Sequence, residues 1–317
     1  MQQELVNAPA YRIEGEDRPS RWLVTCDHAS NRVPDWVNGG DLGIAACDMA
    51  RHIAFDVGAA GVALHLATLL DAPAVLSDFS RLVIDPNRGE DDPTLLMRLY
   101  DGTVIPANRR ADAAERERRL RLLHRPYHSA LARVAARHPA RAICAVHSFT
   151  PQLRGRPPRP WQVGILYSHR DERLGPAMVR ACRDAGWITG DNQPYSGHLE
   201  GDAIDRHALA QGRPNVLVEV RSDLIADVAG QREWAEQLAP VLERVLACSG
   251  LSLGRAENIL RGSGGGKPPA RPHRKLCGSM STLSRRFAGG FGAPASQRAI
   301  ASCSGACRGA RTSIRTR

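Results

Sequence analysis

The stretch Ala142-Ile143-Cys144-Ala145-Val146-His147-Ser148-Phe149-Thr150-Pro151 decides the fold. Five consecutive apolar residues without Gly or Pro lead into a histidine and then into polar residues. A strand that is apolar on both faces must be covered on both faces, so it belongs in the middle of a sheet flanked by helices. Trp22-Leu23-Val24-Thr25-Cys26 has the same form and ends at Asp27-His28. Val163-Gly164-Ile165-Leu166-Tyr167 is another such run, and Asn215-Val216-Leu217-Val218-Glu219-Val220 carries a glutamate inside it. Two shorter candidates are Ala74-Val75-Leu76 and Leu82-Val83-Ile84, the second running into Asp85-Pro86-Asn87-Arg88.

Between these runs the apolar residues fall at helical spacing. Residues 41–70 read as helical, with the longer part opening at Asp48-Met49-Ala50-Arg51-His52 and Asp71-Ala72-Pro73 ending it. Residues 109–137 form a charged amphipathic stretch with an expected break at Pro126. Leu174 to Ala185 reads as a helix stopped by Gly186. Gln231 to Ala247 carries Trp234, Leu238, Val241, Leu242 and Val245 on one stripe. Alternating strands and helices predict one α/β domain with a largely parallel sheet. Its expected span is residues 15–250, after an N-terminal extension of residues 1–14.

After Gly250 the composition changes to Gly, Ser, Pro and Arg without sustained periodicity. Such a segment buries too little to offset its ordering entropy, which predicts disorder over residues 251–317. The chain has 43 basic and 33 acidic residues, a net charge of +10. Residues 251–317 hold 13 of the basic and 1 of the acidic residues, leaving 30 and 32 elsewhere. The basic excess therefore belongs to the tail, and a specific nucleic-acid site on the domain is not expected. A nonspecific polyanion-binding arm is the functional alternative for the tail.

The eight cysteines form no C-x-x-C pair, which excludes a zinc ribbon and fits a reducing compartment. The N-terminus has no apolar core of a signal peptide, and no run is long enough to span a bilayer. A cytoplasmic protein is expected.

In open α/β sheets, ligands bind beyond the carboxyl ends of the strands. His28 and His147 each follow a strand there. Two imidazoles with an oxygen ligand make an open zinc site; each histidine alone would read as an ordinary loop residue. Glu219 is costly to bury unless it is paired, for instance with Arg221, or used as a general base. Arg81, Asn87 and Arg88 suit carboxylate recognition, or else structural pairing with Asp78, Asp85 or Glu90.

Four ordered motifs together resemble the N-formylglutamate amidohydrolase family: residues 27–34 (DHASNRVP), 80–88 (SRLVIDPNR), 147–151 (HSFTP) and 191–196 (DNQPYS). The likeness runs from about Arg21 to Leu246 and leaves the tail outside. It implies a zinc-carboxypeptidase-like fold, a three-layer sandwich around a mixed, mostly parallel sheet. It also implies one zinc ion per chain and a small N-acyl amino acid as substrate, most simply N-formyl-L-glutamate cleaved to formate and glutamate in histidine degradation. By the same resemblance His28, His147 and Asn31 stand at the metal positions, Glu219 at the base, and Asn87 and Arg88 at the substrate carboxylate, with Arg81 assisting in binding and in oxyanion stabilisation. Tyr195 is a candidate lid residue. The superfamily's first motif is H-x-x-E, and here Asn31 replaces the acid, so Asn31, Asp27, Asp48 or Asp56 is the third ligand. His52 and His128 read as structural, and His207 as a residue of a substrate-closing loop. Two rival readings stay open: a deacylase or peptidase for another N-acyl amino acid, and a non-catalytic relative with a polyanion-binding tail.

Overall fold

In the computed structural model, residues 9–251 are described. The expected disorder after Gly250 therefore lies, but for one residue, outside the described residues. The sheet-forming strands are β1 (Tyr11–Glu14), β2 (Trp22–Cys26), β3 (Ala74–Ser77), β6 (Ala142–Phe149), β7 (Val163–Leu166), β8 (Thr189–Asp191) and β9 (Asn215–Arg221). A separate hairpin is made of β4 (Leu99–Tyr100) and β5 (Thr103–Val104). The helices are α1 (Ala46–Met49), α2 (Ala59–Leu69), α3 (Pro106–Arg110), α4 (Ala113–Arg119), α5 (Arg125–Ala136), α6 (Gly175–Asp184), α7 (Ala203–His207) and α8 (Val228–Cys248).

The seven-stranded sheet runs β1-β3-β2-β6-β9-β7-β8. The inner strands β3, β2, β6 and β9 are parallel, whereas β1 is antiparallel to β3 and β7 is antiparallel to β9. This is a mixed α/β sheet with both faces covered, as the apolar runs predict. Strand alternation sorts the side chains. Trp22, Val24, Cys26, Val146 and Val216 join a core built with α2, α6 and α8. Leu23, Val75, Ile143, Ala145 and Leu217 join a second core on the opposite face, against α5. Continuing the period of two, His147 and Glu219 stand on the α5 face, side by side in the parallel register of β6 and β9. The predicted stripe of α8 is buried throughout, each large apolar side chain contributing about 1.5–3 kcal/mol.

Several expectations need correction. Leu82-Val83-Ile84 is buried but is no strand. The Ser80 hydroxyl accepts from the Leu82 amide, and Arg81 reaches Asp85 four residues on, so the local polar bonds favour a turn. The helix expected from Asp48 is only the single turn α1, and the long helix starts at Ala59. The Asp56 amide donates to the His28 carbonyl, which draws the intervening chain into the sheet edge. Gly58, at φ 80°, then turns the chain into α2 where a Cβ would meet the Ile225 carbonyl at 2.1 Å. Pro126 causes no break: it sits in the first turn of α5, after a π-helical turn at Leu120–His124. Finally, Tyr11–Glu14 pairs with β3, so the domain begins before residue 15.

Candidate metal centre and active site

β2 and β6 deliver His28 and His147 to the same sheet edge, with ring centroids 5.1 Å apart. Each ring is held through its Nε2. His28 donates to Asp85 Oδ1 at 2.7 Å, and His147 donates to Asp27 Oδ2 at 3.0 Å. The pairing is crossed, since Asp27 adjoins His28 in sequence yet serves His147. Both anchors are themselves tied down. Tyr127 donates its hydroxyl to Asp27 Oδ1 at 2.6 Å, and Arg81 donates to Asp85 Oδ2 through Nε and Nη2 at 3.3 and 3.0 Å. Burial pushes both carboxyls up, but the hydrogen bond from His147 on Asp27, and the charges of Arg81 and His28 on Asp85, leave each below the ordinary carboxylate range.

With Nε2 committed as a donor, each imidazole turns Nδ1 toward Asp56, where that nitrogen can carry a proton or ligate a cation. Its Oδ2 lies 3.3 Å from His28 Nδ1 and 2.9 Å from His147 Nδ1. The three ligand atoms lie within 4.8 Å of one another, and all three residues are buried. Three converging electron pairs repel unless a cation or a proton sits among them. A carboxylate fixing the far nitrogen of each ring is the usual support of a metal-bound histidine. The donor set, two nitrogens and one carboxylate oxygen, suits zinc with an open position. The residues therefore fit a zinc ion.

The carboxylate that completes this cluster is Asp56, one of the alternatives left open by the sequence, whereas Asn31 lies apart from it. Asn31 is exposed and its amide donates to the Met49 carbonyl at 2.9 Å, away from the cluster. Asp48 is likewise spent on Arg51.

Glu219 is 5 % exposed, and its Oε2 has no hydrogen-bond partner. Burial raises its carboxyl to about 7. Its proposed ion-pair partner Arg221 instead bonds Asp223. A cavity of about 160 Å³ joins Glu219 to His28, Asp56, His147, Asn87 and Arg88. Arg81 and Tyr195 also line it. The Arg81 guanidinium, however, faces Asp85 and Asp56 with three nitrogens, so the ion-pair reading suits it better than substrate binding. Tyr195 receives a hydrogen bond from Arg159, whose guanidinium also stacks on its ring. His52, read as structural, lines the cavity too. His207 is buried against His128 and does not reach the cavity wall.

Sequence reasoning missed the tasks of three residues. Asp27 reads as a candidate metal ligand and Asp85 as a pairing partner for Arg81, and only the fold shows each carboxylate on a histidine ring. Asp202 lines the cavity and caps α7, and burial raises its carboxyl to about 6. No sequence signal marks it.

The mixed sheet, the carboxylate-anchored histidines and the buried glutamate suit a metal-dependent hydrolase. The sequence profile of the N-formylglutamate amidohydrolase family matches residues 20–226, and the chain belongs to that family. A solved gene product of Agrobacterium tumefaciens is 33% identical, with a TM-score of 0.71, over 75% of this chain and 95% of that one. The N-formylglutamate amidohydrolase of Ralstonia eutropha shares the fold at 20% identity and a TM-score of 0.52, over 76% of this chain and 99% of that one. No curated protein matches the chain significantly. Among the described residues no helix is long and apolar enough to cross a membrane.

Proposed function

We propose that this amidohydrolase cleaves the amide bond of an N-acyl acidic amino acid, with N-formyl-L-glutamate as its first candidate substrate. The observation that carries the reading is Glu219: a buried carboxyl held near 7, with one oxygen unpaired, beside a His-Asp-His cluster that lines the same cavity. His28, Asp56 and His147 would hold the metal. Zinc bound there supplies a Lewis acid for the amide carbonyl and makes water acidic enough to deprotonate near neutrality.

Glu219 takes the proton of the attacking water. The oxygen adds to the acyl carbon, the C–N bond breaks, and Glu219 returns the proton to the departing amine. Arg88 bonds Thr94 Oγ1 through Nε and the Asn87 carbonyl through Nη1, which leaves Nη2 and the second Nη1 hydrogen to meet the substrate carboxylate. Asn87 Oδ1 already accepts from the Ala203 amide at 3.1 Å, which leaves its NH₂ to donate to the same carboxylate. Tyr195 closes the outer wall. Arg81 holds Asp56 and Asp85 in their charged, ligand-orienting forms.

The presence of Asp56 removes the motive for a non-catalytic reading, which rested on Asn31. The test is a hydrolysis screen over N-formyl, N-acetyl and N-succinyl derivatives of Glu, Asp and Gln, with and without added zinc. Zinc-dependent release of glutamate from N-formyl-L-glutamate is expected. Zinc-loaded protein that cleaves none of the panel sinks the reading.

A further inference from the structure

Beneath the loop that presents Asn87 and Arg88 lies a second group of imidazoles, unused by the hydrolysis. His124 sits in the π-helical turn, His128 one turn later in α5, and His207 ends α7; all three are buried. His124 Nε2 is 3.0 Å from the Arg88 carbonyl and 3.3 Å from His128 Nε2. His128 Nδ1 is 2.8 Å from His207 Nε2. The Pro86 carbonyl also faces the His128 ring. A metal-binding trio turns one nitrogen of each ring to a common point. Here His128 uses opposite nitrogens toward its two neighbours, so the rings form a chain.

The chain's proton placement follows from its end. A carbonyl only accepts, so His124 carries its proton on Nε2. Its Nδ1 is then a bare lone pair, and that atom is buried with no partner. Burial depresses the basicity of all three rings, His207 to about 4, which keeps them neutral. Apolar side chains would fill this space without the desolvation cost of three imidazoles. What the chain grips explains its presence. The Pro86 and Arg88 carbonyls bracket Asn87. Asn87 in turn is held through Oδ1 by the first amide of α7, the helix that ends in His207.

We propose that His124, backed by His128 and His207, is a positioning residue that fixes the backbone of Asn87 and Arg88 and so aims the carboxylate clamp. This rests on the reading of Arg88 as the ligand of the substrate carboxylate. A guanidinium at the end of a long side chain inherits any displacement of its own backbone, and an ångström there is enough to lose a bidentate contact.

Two variants and one spectrum test it. His124→Gln keeps an N–H near the place of Nε2, and His124→Leu removes it. His124→Leu should raise KM by about tenfold or more with kcat within about twofold, while His124→Gln stays near wild type. In an Arg88→Ala background, His124→Leu should raise KM by less than it does in the wild-type protein, Asn87 alone remaining to be displaced. A fall in kcat at unchanged KM, or an additive rise in the double variant, overturns the proposal. Nitrogen-15 NMR of the wild-type imidazoles needs neither substrate nor variants. It should find His124 as the neutral Nε2–H tautomer at neutral pH; a cationic ring or the Nδ1–H tautomer overturns the anchoring. An enzyme that hydrolyses no N-acyl amino acid overturns the functional reading, whereas the tautomer tests the anchoring by itself.

Discussion

Glu219 separates binding from chemistry at the scale of single residues. It touches no ligand atom of the cluster, so Glu219→Gln should leave the zinc content unchanged while kcat falls by about 10²–10⁴-fold; parallel metal analysis and steady-state kinetics check both halves. Loss of zinc together with loss of activity would mean that Glu219 is a ligand. The anchors behave in the opposite way. Asp85→Asn and Asp27→Asn keep shape but weaken the hold on the His28 and His147 rings, and each should weaken zinc affinity by about 10–100-fold. Competition with a zinc-chelating dye measures this. His28, His147 and Glu219 could be read from the sequence because each is a polar residue at or within an apolar strand. Asp56 could only be one of several candidates, because a loop carboxylate carries no signature of where its chain turns. Asn31 misled for the same reason: position in a motif does not say which way an amide points.

At the scale of elements, Gly164 in β7 is a point of close approach beside the site. A Cβ there would lie 2.2 Å from the Gln193 carbonyl oxygen and 3.4 Å from the Glu219 Cβ. Gly164→Ala must therefore push the backbone that leads to Tyr195. The expected result is a raised KM and a loss of about 1–3 kcal/mol of stability, measured by chemical denaturation. Unchanged KM would detach the segment at residues 193–195 from substrate binding. The central strands β2, β6 and β9 could be predicted because both of their faces are buried and their runs are continuous. The edges were harder. Tyr11–Glu14 alternates half-buried and exposed residues, Thr189–Asp191 is three residues long, and neither builds an apolar run. Leu82–Ile84 shows the converse error, in which burial without extended geometry imitates a strand.

For the whole molecule, the buried imidazole chain makes stability depend on pH. His207 has a folded value of about 4 against 6.5 for the free side chain. Between these values the unfolded chain binds a proton that the folded chain refuses, so stability rises with pH across the window. The contribution is intact above 6.5 and is lost as pH falls toward 4, on the order of 3 kcal/mol at full loss. His207→Gln should flatten the difference in unfolding free energy between pH 7 and pH 5; an unchanged difference would mean the ring is charged in the folded protein. Every residue assigned to the site lies between Asp27 and Glu219, within the family match at residues 20–226. A chain ending at Leu251 should accordingly keep the kcat/KM of the full chain.

The crossed anchoring of the two histidines also bears on how such an enzyme can diversify. The His28 loop carries Asp27, the support of His147, and His28 itself leans on Asp85 from a third loop, so no loop of the centre is a module that can be exchanged alone. A change at Asp27 is felt at His147, and a change at Asp85 is felt at His28. The segment from Tyr195 to Asp202 is different: it walls the cavity and supplies no metal ligand. New acyl or amino-acid preferences can therefore be written into that one segment while the reaction centre is inherited as a block.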